Sequence, residues 1–157
     1  NHLFLAARDL VAVSVFMPTL QPENFMGVSP KNTMKRKQFI KGTEQIAQEG
    51  AIQIFKVPDS GLEEVIVGVV GTLQFDVFEY RMKNEYGVEL YTSGLPYEHL
   101  RHITACPMPA KDLVLCTGAA LLEDFKGRLL VAFGGEWAVN FLTKHNPGLE
   151  IEDALSV

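Results

Sequence analysis

Hydrophobic and polar positions along this chain follow two periods, and the clearest switch between them lies from Glu64 to Leu90. Val65, Ile66, Val67, Val69 and Val70 form a β-branched run, the pattern of a strand buried on both faces. Gly71 breaks the run, and Thr72 is a candidate N-cap for a helix. Gly87 stands where a C-cap residue with positive φ belongs, and Val88 to Tyr91 restarts a strand.

The helix between these glycines carries two apolar stripes. Phe75, Phe78, Met82 and Tyr86 share one face by their spacing of three and four. Leu73, Val77 and Tyr80 share another, about half a turn away. A helix with two stripes packs on its own sheet with one and on something else with the other. That something is a later part of this chain, the commoner arrangement, or a partner domain outside it.

Residues 1–20 read as one or two strands, with Leu10 to Met17 the best candidate. After Pro18 and Pro22, the join from Leu20 to Ser29 looks like a domain boundary rather than a core element, although Phe25 to Ser29 could form a short strand. A helix follows from a cap at Asn32 or Thr33, with Phe39, Thr43, Ile46, Ala47 and Gly50 on one face. Gly42 inside it costs ~1 kcal/mol against Ala, which marks either a close backbone approach or a tolerated blemish. Ala51 to Val57 is a strand and Pro58 to Gly61 a turn. The order β-α-β-β-α-β predicts an α+β fold of ferredoxin-like, split βαβ type: a four-stranded antiparallel sheet with two helices on one face.

Beyond that unit, Leu100 to Ala105 and Leu113 to Cys116 are strand candidates. Ala119 to Phe133 reads as a hairpin turning at Gly127. A helix from Glu136 to about Lys144 follows, with Trp137, Phe141 and His145 as its expected inward face, and Leu149 to Ile151 is a last extended piece. The expectation is a C-terminal β-hairpin and helix added to the ferredoxin-like unit.

The 157 residues, 47% hydrophobic, suffice for one domain with a full core and a fragment of a second. A net charge of −5 argues against wholesale nucleic-acid binding. No apolar run reaches the ~18 to 20 residues of a membrane span. The apolar N-terminus is broken by Arg8 and Asp9 and lacks a basic start, so it does not read as a signal peptide, and without an initiator Met the chain reads as a piece of a longer one. Cys106 and Cys116 have no metal-binding spacing and read as reduced thiols.

One charge feature stands out. Lys31, Lys35, Arg36, Lys37 and Lys41 are five of the 14 basic residues, and no acid lies between Glu23 and Glu44. Cations in the first half of a helix oppose its dipole. The cluster is therefore either a phosphate-backbone contact or an ordinary solvated face. There is no phosphate loop and no dinucleotide fingerprint. Gly134-Gly135 before a helix reads as a tight turn, since Glu136 would repel an anion there. His99 and His102 lie three apart in a strand candidate, on opposite faces, and suggest no metal. Asp76 and Glu79 read as helix-surface charges. No catalytic residue, metal site or cofactor site is expected in this chain.

The stretches KRKQFIKGTEQIAQEGAIQIF and VGVVGTLQFDVFEYRMKNEYGVE resemble the C-terminal, third domain of the bacterial peptide chain release factor 3 family. LQPENF is similar to the family's segment entering that domain, and GRLLVAFGGEW with NPGLE is similar to the tail of some members. The central block is also similar to the third domain of elongation factor G, which has the same split βαβ fold. The resemblance spans roughly residues 20 to 151. It implies a cytoplasmic GTPase that removes class I release factors from the ribosome after peptide release. GTP and Mg would belong to its GTPase domain, which comes first in the family and is absent here. The third domain is implied to pack on the GTPase and β-barrel domains and to contact the small ribosomal subunit.

On this basis Lys31, Lys35, Arg36, Lys37 and Lys41, which match the family's basic helix start, become candidates for ribosomal RNA contact. Leu73, Val77 and Tyr80 become candidates for packing between domains. LFLAARD resembles a piece of the family's second domain, so residues 1–20 are expected to be a remnant of the preceding β-barrel or a linker, and 21–157 the C-terminal domain. Tyr97 to Ala119 diverges from the family, and nothing is carried over there. The alternatives are a stand-alone protein-interaction module or a small-molecule enzyme on a ferredoxin-like fold.

Overall fold

The computed structural model describes residues 21–58, 61 and 64–152. The strands expected within residues 1–20 lie outside them. The first unit consists of β1 (Asn24–Pro30), α1 (Arg36–Gln48), β2 (Gln53–Phe55), β3 (Val65–Val69), α2 (Thr72–Tyr86) and β4 (Leu90–Leu95). Its sheet has the order β2-β3-β1-β4, antiparallel throughout, with Asn24 opposite Val69 and Val28 opposite Val65. This is the split βαβ arrangement. Phe39 and Ile46 from α1 and Phe75, Phe78 and Met82 from α2 pack on Val28, Ile54, Val65, Val67 and Val69, so both helices cover one face.

The segment from Leu20 to Ser29 is corrected by its described part. β1 is a central strand, and Phe25 and Val28 are buried in it. The misleading signal was Pro22, which stops short of the strand and packs against Gly68 of β3. A Cβ on Gly68 would lie 3.0 Å from the Cβ of Pro22.

The second unit is a sheet in its own right, larger than a hairpin with a helix. It contains β5 (His99–Ala105), β6 (Ala120–Glu123), β7 (Leu129–Phe133), α3 (Trp137–His145) and β8 (Glu150–Ile151), with strand order β6-β7-β5-β8. It covers the face of the first sheet that the helices leave open. Phe25, Phe55 and Ile66 meet Leu100, Leu122, Leu130 and Ala132 there. The alternate residues of β7, Val131 and Phe133, face the other way onto Ala138 and Leu142 of α3. The layers therefore run helices, sheet, sheet, helix. This explains why every residue of β3 is buried. The two sheets are joined at Lys56 and Glu123, whose backbones exchange hydrogen bonds of 2.9 and 2.8 Å.

Three further expectations change. Leu113 to Cys116 is irregular rather than a strand. The side-chain amide of Asn146 takes the place of a strand partner: its Oδ1 accepts from the Val114 N–H at 2.7 Å, and its Nδ2 donates to the Val114 carbonyl at 2.9 Å. The inward face of α3 is Ala138 and Leu142, not Trp137, Phe141 and His145. Both sets have the same spacing of four, so periodicity could not choose between them. Trp137 and His145 lie outside and Phe141 is half-buried, each ring set against the next at centroid distances of 6.4 and 4.2 Å. Finally, no later part of the described chain covers the second stripe of α2. Leu73 is 73%, Val77 48% and Tyr80 68% exposed.

Candidate functional site

The basic cluster sits where the chain leaves β1 and enters α1. The Asn32 side chain accepts from the Met34 N–H at 3.0 Å and caps a single tight turn, Thr33–Lys35, before α1 begins. Burial of Phe39, Gly42, Thr43 and Ile46 turns the opposite side of the helix to solvent. Lys31, Arg36, Lys37 and Lys41 are exposed, and Lys35 is half-buried. Lys31, Lys35, Lys37 and Lys41 form no ion pair among the described residues. The Lys31 ammonium stands 5.7 Å from the ring centroid of Tyr91.

The other end of α1 is neutralised. Arg81 of α2 binds the Glu49 carboxylate through both terminal nitrogens and also pairs with Glu85 at 3.0 Å. These hydrogen bonds hold the Glu49 carboxyl below its ordinary pKa and raise that of the Arg81 guanidinium. The cluster's lysines without an ion pair among the described residues, Lys31, Lys35, Lys37 and Lys41, thus lie in the first turns of α1 and just before them, where the helix dipole does not favour positive charge.

The second candidate surface is the exposed stripe of Leu73, Val77 and Tyr80 on α2. The fold brings part of it to the basic residues. Tyr80 and Lys83 of α2 and Lys31 line one open cleft of about 530 Å³. Lys35, Lys37 and Lys41 do not line this cleft.

Among the described residues, no three His, Cys, Asp or Glu side chains are placed to hold a metal ion. His99 stacks on Phe133 at 5.4 Å with its Nδ1 3.7 Å from Glu136, and His102 Nδ1 lies 3.2 Å from Glu152. Glu136, beside the Gly134-Gly135 turn, is held at 2.9 Å by Arg101, which is only 8% exposed. This buried cation was missed from the sequence. Its one signal is an Arg in the middle of the otherwise strand-like LRHITA. No described helix is long and apolar enough to cross a membrane.

The family model for the C-terminal domain of class II release factor RF3 matches residues 16–143. Peptide chain release factor 3 of Symbiobacterium thermophilum is 39% identical over 133 residues, which are 85% of this chain and 25% of that protein. The proteins of the same name from Listeria welshimeri and Streptococcus pneumoniae are 39% and 36% identical over 139 residues, 88% of this chain and, for the Listeria protein, 26% of its length. The chain spans about a quarter of the length of these relatives. The match covers the first sheet, three of the four strands of the second and most of α3, including the basic cluster and the exposed stripe described above. This chain therefore belongs to the family of class II release factor RF3 C-terminal domains.

Proposed function

We propose that this chain is the non-catalytic C-terminal domain of a cytoplasmic translation-termination GTPase that recycles class I release factors from the ribosome. In this reading the domain docks on the small ribosomal subunit through Lys31, Lys35, Arg36, Lys37 and Lys41. Leu73, Val77 and Tyr80 pack against the GTPase and β-barrel domains of the same polypeptide, and residues 1–20 belong to the preceding β-barrel or its linker. GTP and Mg are handled by the GTPase domain, with no cofactor in this one. The observation that carries the RNA contact is the cluster itself: exposed lysines gathered at one helix start, against its dipole, in a chain of net charge −5.

The test is made in the whole factor with Lys35, Arg36 and Lys37 replaced by Gln. Phosphate contacts make affinity fall with salt, by a slope of about 0.9 in log units per contact for duplex DNA and less for single strands. Loss of two or three contacts should weaken ribosome binding and flatten its salt dependence. Ribosome affinity that is unchanged and insensitive to salt would refute the RNA role. The isolated chain is expected not to bind GTP.

A further inference from the structure

The first sheet ends in an open edge. β4 pairs with β1 and with no other described strand. The Lys31 N–H bonds to the Glu89 carbonyl at 2.9 Å, and the register continues from Pro30 opposite Leu90 to Phe25 opposite Leu95. Hydrogen-bonded pairs alternate along an antiparallel ladder, so residues 89, 91, 93 and 95 turn their N–H and C=O toward β1. Those of Leu90, Thr92 and Gly94 then point outward. Such edges are usually guarded by a charge or a proline. Leu90–Leu95 contains neither, and its middle four residues are exposed.

Beside this edge, between β4 and α2, lies a cleft of about 510 Å³. Thr92 and Gly94 line it from the strand, and Phe75 is part of its apolar lining. Leu90 packs with the helix-side core, so Thr92 and Gly94, two and four residues on, face the same side. A Cβ on Gly94 would meet nothing within 4 Å, which leaves room over the strand. The lining includes four carboxylates, Glu23, Asp76, Glu79 and Glu98, and no Lys, Arg or His. None of the four is in an ion pair among the described residues.

We propose that β4 accepts an extended, basic segment of another polypeptide by strand addition. Its backbone pairs with Leu90, Thr92 and Gly94, and alternate lysine or arginine side chains reach Asp76 and Glu79 in the cleft. The charge selects the occupant. A nucleic acid would bring phosphates against four carboxylates. A second copy, adding edge to edge about a two-fold axis, would bring two such acidic clefts together. A basic strand satisfies the edge and the carboxylates at once. Lys31 adjoins this surface, its ammonium 5.7 Å from the Tyr91 ring of β4, but Lys35, Lys37 and Lys41 do not line the cleft, and the inference stands whether or not they bind RNA.

The test uses the 157-residue chain and a labelled octapeptide of alternating threonine and lysine. Binding is followed by fluorescence anisotropy and by amide shifts in NMR. The expected shifts gather at Leu90, Thr92 and Gly94. Gly94→Pro removes an outward N–H without touching the β1 ladder and should weaken binding at least about tenfold. Asp76→Asn with Glu79→Gln, the first exposed and the second half-buried, should weaken it to a similar extent and flatten its salt dependence. Lys35→Gln with Lys37→Gln should leave it unchanged. Equal affinity of the Asp76/Glu79 variant would overturn the proposal even if Gly94→Pro failed to fold. So would equal binding of a threonine–glutamate peptide, absence of binding up to about 1 mM peptide, shifts gathered elsewhere, dimerisation through β4, or an RNA oligonucleotide taking the same edge.

Discussion

Gly42 of α1 faces Met82 of α2 so closely that a Cβ on the glycine would lie 2.7 Å from the methionine Sδ and 2.9 Å from Cγ of Tyr86. The two helices share the sheet by letting one backbone into the space of the other's side chains. A helical Gly→Ala change usually stabilises by up to ~1 kcal/mol. Here overpacking, which costs ~1–3 kcal/mol, should reverse the sign.

Gly42→Ala is therefore expected to lower the urea midpoint. Met82→Ala alone should also destabilise, by roughly 2–5 kcal/mol. The double variant should lose less than the sum, because removing the methionine relieves the overlap with its Sδ and Cε and leaves space into which the Tyr86 ring can shift. Strict additivity in that cycle would show that the two helices do not meet as described.

The clamp of Arg81 on Glu49 gives a defined pH response. The Glu49 carboxyl is held below its ordinary value of 4.5, chiefly by its hydrogen bonds from Arg81. A depressed folded-state pKa contributes stability that is present above the unfolded value and lost as pH falls through the folded one. The pair is half-exposed, so the contribution is small, ~0.2–1 kcal/mol. Glu49→Gln should lower stability slightly at pH 7 and have no effect at pH 2. A difference that persists at pH 2 would assign the effect to packing instead.

Arg101 is the buried charge of the second sheet. It donates to Glu136 at 2.9 Å and to the Leu100 carbonyl at 2.9 Å, and its guanidinium carbon lies 5.8 Å from the Phe133 ring centroid. Glu136→Gln keeps the shape but removes the counter-charge. Glu136 itself is 64% exposed, so water screens the pair and the change should cost about 1 kcal/mol or less in thermal or chemical unfolding. Arg101→Met, which fills the same space without charge, should cost less than Arg101→Ala.

Asn146 holds the loop after β5 to the end of α3. It is 1% exposed, and its Nδ2 also donates to the Leu142 carbonyl at 2.8 Å. Asn146→Ala would leave the N–H of Val114 without its partner and should cost about 1–3 kcal/mol. Hydrogen exchange at the Val114 amide should speed up in that variant far more than at β7. Equal protection of Val114 in both proteins would rule out the staple.

The ferredoxin-like unit was legible along the chain because each of its elements has a local cause. The valine run, the Gly71 and Gly87 boundaries, and the 3-4 spacing of Phe75, Phe78 and Met82 each act within a few residues, and together they name the order of strands and helices. Gly42 was readable as a question, answered only by the position of Met82, 40 residues later. The basic cluster and the stripe of Leu73, Val77 and Tyr80 were visible as patterns too. What periodicity could not tell was what covers them. The stripe looks like core by spacing, yet among the described residues it is left open, because the second sheet packs on the opposite face of the first. The burial of β3 on both sides, the choice of Ala138 over Trp137 as the inward residue, the pairing of Arg101 with Glu136, and the open edge of β4 above an acidic cleft all depend on residues far apart in the chain. Spacing along a chain reports which residues share a face. Only the packed layers assign that face to a neighbour or to water.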